Sequence, residues 1–273
     1  MTAFLDKHKK MTTFDLKVIG LILMVLDHVH EIFSGAGVPF WFDWFGRPVA
    51  TIFFFVSVEG FTHTRNKKKY LWRLLIGFWI MGIGDAIIQQ FFSVSNVSLM
   101  NNIFADLFIG VSAMYGIEKV KTAFSKHSFK DGLIGTILLV SPILMSIYIQ
   151  YALQVPGIIQ ISGLAAGFIY PATVTAENSF FCYLAVFLYL AKDNRMLQCI
   201  FIAITAFLYT GYTSGNQFNN LFTVNTQWMM ILAIIPIIFY NGQRGRSMKS
   251  FFYVFYPGHI WFLYILASLL GIK

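Results

Sequence analysis

The sequence predicts an all-α fold, a polytopic integral membrane bundle of about nine (8–10) transmembrane helices with one short re-entrant or broken segment. Three observations carry this expectation. The chain is 57% hydrophobic with a mean hydropathy of +0.67, and its 12% charged residues are too few to cover a soluble surface. Apolar runs of about 20 residues, the length that crosses a hydrocarbon core, recur along the whole chain. Basic residues fall in short clusters between those runs, a pattern that reports membrane topology and argues against a nucleic-acid partner despite the formal charge of +8.

Taken in order, the spans lie at about 14–34, 46–64, 70–92, 101–118, 132–153, 176–191, 196–211, 226–240 and 252–270. The first follows Lys7, Lys9 and Lys10, is longer than the apolar core of a signal peptide and has no small-residue cleavage site after it, so it reads as a retained span with a cytoplasmic amino terminus. Placing the loops near 65–69, 119–130, 192–195 and 244–249 inside puts all but two of the 20 Lys and Arg on the inner side. Arg47 and Lys273 are the two exceptions. The stretch GIIQISGLAAGFIYP at 157–171 sits between prolines and is short for a crossing, and if it crossed it would move Lys192 and Arg195 outside. It is therefore expected to be re-entrant or broken, with Gly163 and Gly167 at a spacing that lets helices approach closely. Pro142, Pro236 and Pro257 are expected to kink their helices. So few residues lie outside apolar runs that no separate soluble domain fits, and residues 1–273 read as one transmembrane domain. Cys182 and Cys199 read as free thiols, and no Cys or His pair has a zinc spacing, so no metal site is expected.

Depth then sorts the polar residues. Lys17 and His28 lie eleven residues apart, so at about 100° per residue they share one helix face. Ionisable groups cost about 2.5–3.5 kcal/mol at mid-membrane on the insertion scale, which turns such a face toward protein or water and marks it as a candidate site. Glu31 follows His28 by three residues and can meet the imidazole, whereas Asp27 points about 100° away toward another helix. The outer layer collects Asp27, His28, Glu31, Arg47, Asp85 and Asp106, with the two last as possible buried partners of Arg47. The inner layer collects Lys17, Arg65, Lys67, Lys68, Lys69 and Arg73, with His259 in the inner third of the last span. An anionic cofactor arriving from the cytoplasm would meet those cations first, although RNKKK also reads as a topology signal on a solvated loop. His259 reads equally as a hydrogen-bonded helix residue beside the Pro257 kink.

The run LKVIGLILMVLDHV, then FGRPVATIFFFVSVEGFTHTRNKKKYLWRLLI and NNIFADLFIG, with FYPGH near the carboxyl end, resembles the TraX family of membrane proteins, named for a pilin amino-terminal acetylase. It also resembles the wider type-3 membrane acyltransferases, in which a basic residue, ten intervening residues and a histidine mark the first span; Lys17 and His28 match that spacing, and Gly46 and Arg47 match the family's GR pair. The resemblance implies a catalytic His28 and an acyl-coenzyme A site drawing on Lys17, Lys69 and Arg73, and His259 joins these as a further cofactor-binding candidate. On this reading the chain is a cytoplasmic-membrane acyltransferase that moves an acyl group, expected to be acetyl, from cytoplasmic acetyl-CoA or another acyl-CoA to a hydroxyl or amine outside. The acceptor would be a surface glycan, a peptide or a pilin-like protein. His28 acts as general base, Asp27 or Glu31 orients it, and Arg47 stabilises the oxyanion. Two other classes stay open on the residues alone: a proton- or ion-coupled transporter using Asp27, His28, Asp85 and Asp106, and a non-enzymatic membrane assembly factor.

Overall fold

The computed structural model describes residues 10–95, 97–213, 220–247 and 249–272. Lys7, Lys9, Lys273 and part of the expected 212–225 outer loop lie outside the described residues. The described chain is all-helical, with two isolated bridges and no strand. In chain order the helices are α1 (Thr13–Phe33), α2 (Asp43–Thr62), α3 (Lys67–Phe91), α4 (Ile103–Lys126), α5 (Phe129–Leu153), α6 (Ile158–Ile169), α7 (Leu184–Leu190), α8 (Arg195–Thr213), α9 (Asn220–Thr223), α10 (Ile234–Ile238) and α11 (Lys249–Leu269). Turns of 3₁₀ helix lead into α7 over Ser179–Tyr183 and into α10 over Gln227–Ala233.

Helical structure thus occupies all nine apolar stretches that the sequence marks as spans. Among the described residues three helices, Lys67–Phe91, Phe129–Leu153 and the Ser250–Leu269 portion of α11, are long and apolar enough to cross a bilayer. Each presents an apolar stripe outward: Trp72, Ile76, Ile80, Ile83 and Ile87 on α3 recur every three or four residues and are about half exposed. An outward face of that kind is what lipid requires and water penalises. Helix α1 has the length but carries Asp15, Lys17, Asp27 and Glu31. The apolar helices Ile158–Ile169, Ser179–Leu190 and Gln227–Ile238 are each 12 residues, short of a hydrocarbon core about 30 Å thick.

The chain divides into two compact units. The first comprises the residues up to Val56, Asp85–Leu99 and those from Ala191 onward. Its core brings together Leu16, Leu21, Met24 and Ile32 of α1, Ile52, Phe54 and Phe55 of α2, Ile202 of α8, and Tyr256, Ile260 and Tyr264 of α11. The second comprises Ser57–Gly84 and Met100–Leu190. There α4 and α5 form a hairpin so tight that a Cβ on Gly135 would fall 2.8 Å from the Gly116 carbonyl oxygen and 2.9 Å from the Val120 nitrogen. Lys119 and Asp131 pair across it near the connecting turn at 2.6 Å. Helix α6 packs on α5 through Gly163, where a Cβ would meet that of Ala152 at 2.6 Å; Gly167 meets only ordinary contacts at 3.5 Å and beyond. Of the two glycines spaced for close approach, one makes it.

The candidate site on the first and last helices

Helix α1 starts firmly. Thr12 and Asp15 form a capping box, with the Thr12 amide donating to Asp15 at 2.8 Å. The amides of Thr13 and Phe14, which have no intrahelical acceptor, donate instead to the carbonyls of Gln243 at 2.8 Å and Arg244 at 3.2 Å. Met11 pairs with the segment at Tyr240 as an isolated parallel bridge, and the Thr13 and Tyr240 hydroxyls lie 3.0 Å apart. The first helix is thereby laced to the chain that leads into the last.

Along α1, the face predicted from the eleven-residue spacing packs on α11. The Lys17 ammonium stands 5.0 Å from the centroid of the Phe252 ring, and His28 meets Tyr256 and His259 further along. Both chains advance in the same direction through these contacts, so α1 and α11 run parallel. His28 is 4% exposed, and its Nδ1 lies 2.8 Å from Nε2 of His259. His259 Nδ1 lies 2.8 Å from the Phe255 carbonyl oxygen one turn earlier, and the Phe255 ring stacks on the His259 ring at 5.0 Å and 14°.

This geometry corrects two expectations. His259 belongs with His28 in one hydrogen-bonded pair, His28 buried and His259 half-buried, and not with the inner cations, because it sits at the midpoint of α11 and α11 is anchored to α1 at the level of Phe252. The second concerns the orienting group: the Nδ1 atom of His28 faces His259, a residue that was not among those expected to orient it. Glu31 is exposed near the carboxyl end of α1, and Asp27 points to α2, where its carboxyl group fills the space that a Cβ on Gly46 would occupy. The GR pair is therefore explained in part by contact: only glycine leaves room for that carboxylate beside Arg47.

Arg47 itself is held by Asp43, one turn earlier on α2, and by Gln227 Oε1 at 3.3 Å. Asp43 also accepts from the Thr226 hydroxyl at 2.9 Å. Asp85 and Asp106 are not its partners: Asp85 accepts the Trp261 indole N–H at 2.8 Å, and Asp106 accepts the Glu177 and Asn178 amides and the Cys182 thiol. Asp106 thus pins a loop, which is the structural use of a buried carboxylate. Sequence reasoning missed Asp43, although its place four residues before Arg47 was a usable signal. In the second unit, Lys67 is taken by Glu118 and lies 4.6 Å over the Phe61 ring, while Lys69 and Arg73 stand exposed one turn apart on α3.

Comparison with known proteins agrees with the motif-level resemblance. A probable fimbrial assembly protein, FimC of serogroup H1 from Dichelobacter nodosus, is 41% identical over 71 residues, covering 23% of this chain and 27% of that protein. The match therefore spans about a quarter of that relative's length. No solved structure matches the chain. The family model described as TraX protein matches residues 13–267, nearly the whole described chain from the cap of α1 to the end of α11, and the chain is a helical membrane protein of the TraX family.

Proposed function

We propose that this protein is a membrane-embedded acyltransferase that moves an acetyl group from cytoplasmic acetyl-CoA to a hydroxyl or amine on the outer side of the membrane. The observation that carries the reading is the hydrogen-bonded His28–His259 pair, His28 buried and His259 half-buried, on two helices that both lie within the family match. Two imidazoles are costly to hold away from water unless they hydrogen-bond, and a histidine near neutrality can take and return a proton. His28 is the general base that takes the acceptor's proton. An acetyl thioester is the chemistry that the donor supplies, and its phosphates suit cations: Lys69 and Arg73 are the candidates in the second unit, and Lys17 is a separate candidate in the first. The acceptor is a surface glycan, a peptide or a pilin-like protein, the last being favoured by the fimbrial relative's name.

The same reading takes residues 1–273 as one transmembrane acyltransferase domain with a cytoplasmic amino terminus and nine crossings, α6 being re-entrant or broken. Parallel α1 and α11 support an odd number of crossings from one to the other, counted inclusively. A hydrogen-bonded imidazole pair would also serve a proton relay in a transporter. Incubating purified protein with [¹⁴C]acetyl-CoA and a candidate acceptor separates the two. Label is expected to appear covalently on the acceptor; proton flux in vesicles without acetyl-CoA binding would overturn the transferase reading.

A further inference from the structure

The hydrogen bonds around His28 determine which of its nitrogens is basic. A backbone carbonyl can only accept, so the Phe255 oxygen 2.8 Å from His259 Nδ1 requires a proton on that nitrogen. A neutral imidazole carries one N–H, which leaves His259 Nε2 as an acceptor. The 2.8 Å contact then requires His28 Nδ1 to be the donor, and the lone pair of neutral His28 falls on Nε2. Direction thus passes from the peptide carbonyl through one ring to the other.

We propose that His259 is a positioning residue which, anchored by the Phe255 carbonyl, holds His28 in its Nδ1–H tautomer and makes Nε2 the atom that takes the acceptor's proton. The catalytic half of this statement rests on the acyltransferase reading above; the tautomer half does not. When Nε2 takes that proton, His28 becomes an imidazolium whose Nδ1–H still points at His259, and the hydrogen bond strengthens as it becomes charge-assisted. The electron pair of the broken O–H or N–H bond stays on the acceptor's oxygen or nitrogen and forms its bond to the acetyl carbon, the thioester C–S bond breaks, and the departing thiolate takes the proton back from the imidazolium. A neutral ring in the orienting position also avoids burying a permanent carboxylate, whose desolvation would oppose insertion. The orientation of His259 is fixed from several sides: Phe255 stacks on it, the Tyr256 ring meets it edge-on at 5.9 Å, and Trp261 two residues on is held by Asp85.

The test is ¹⁵N NMR of histidine-labelled protein in lipid nanodiscs, at a pH above the ordinary histidine range, with the His28 signals identified by their loss in His28→Gln. The parent is expected to show His28 protonated at Nδ1 and unprotonated at Nε2. His259→Leu removes the acceptor and should shift His28 toward the Nε2–H form, with kcat for acetyl transfer falling about 10²-fold or more and KM for acetyl-CoA unchanged. His259→Gln offers an amide oxygen near the Nε2 position and should retain the Nδ1–H form and most of the activity. An Nε2–H tautomer in the parent, or an unchanged tautomer in a folded His259→Leu, overturns the proposal even if acetyl transfer proceeds. Should His259→Leu fail to fold, the parent spectrum and His259→Gln decide the matter. The expected tautomers in a protein that transfers no acetyl would uphold the positioning role and overturn the transferase reading instead.

Discussion

At the scale of single residues, acyltransfer and helix stapling ask different things of His28, since a staple need only hydrogen-bond whereas a base must exchange a proton. His28→Gln keeps hydrogen-bonding capacity and removes the titratable ring. The variant is expected to insert, purify and bind acetyl-CoA like the parent, and to transfer acetyl at most about a hundredth as fast. Near-parental turnover would remove His28 from the mechanism. The face shared by Lys17 and His28 was legible in the sequence, because an eleven-residue interval fixes direction on any helix. Its partner was not. His259 is 231 residues away, and nothing in the local pattern of FYPGH says which helix it meets. The same limit explains Asp85 and Asp106, whose charges suggested Arg47 while their actual partners are an indole and a pair of backbone amides.

At the scale of elements, two glycine sites on the α4–α5–α6 layer should answer oppositely to the same substitution. Gly135→Ala places a Cβ against the backbone of α4, which cannot yield, so the clash should outweigh the gain in helix propensity of about 1 kcal/mol and lower the melting temperature. Gly167→Ala meets only side-chain atoms at ordinary distance and should leave the melting temperature unchanged or raised. Equal effects in a thermal-unfolding series would refute this account of the packing. The sequence pointed to 163 and 167 because their spacing forms a motif; Gly116 and Gly135 lie on different helices, and neither has a glycine four residues away. Helix α3 carries a second test. If exposed Lys69 and Arg73 bind the donor's phosphates, Arg73→Ala should weaken acetyl-CoA binding by about 1.5–3 kcal/mol without loss of fold. Unchanged binding in equilibrium dialysis would return these residues to the role of a topology signal.

At the scale of the whole molecule, the proposed orientation can be read by thiol labelling from outside intact cells. Cysteine introduced at Ser95 should react, and cysteine at Ser125 or Ser247 should not. Outside labelling at Ser125 would overturn the nine-crossing topology. Helix positions were legible over nearly the whole chain, because apolar composition and charge clusters decide them locally. The number of crossings was not, since Ile158–Ile169, Ser179–Leu190 and Gln227–Ile238 are apolar like spans yet too short to cross straight through. Whether such a segment dips or crosses depends on its neighbours, and composition does not encode them.

The lacing of α1 to the far end of the chain bears on how the protein is made. During synthesis the contact of Asp27 with Gly46 is available almost at once, since only 19 residues separate the two. The imidazole pair has to wait for the ribosome to deliver His259. Until then the nascent chain lacks the arrangement that would give His28 a defined basic nitrogen. Assembly of the site is thus tied to the synthesis of α11, so a chain stalled before that helix would lack it.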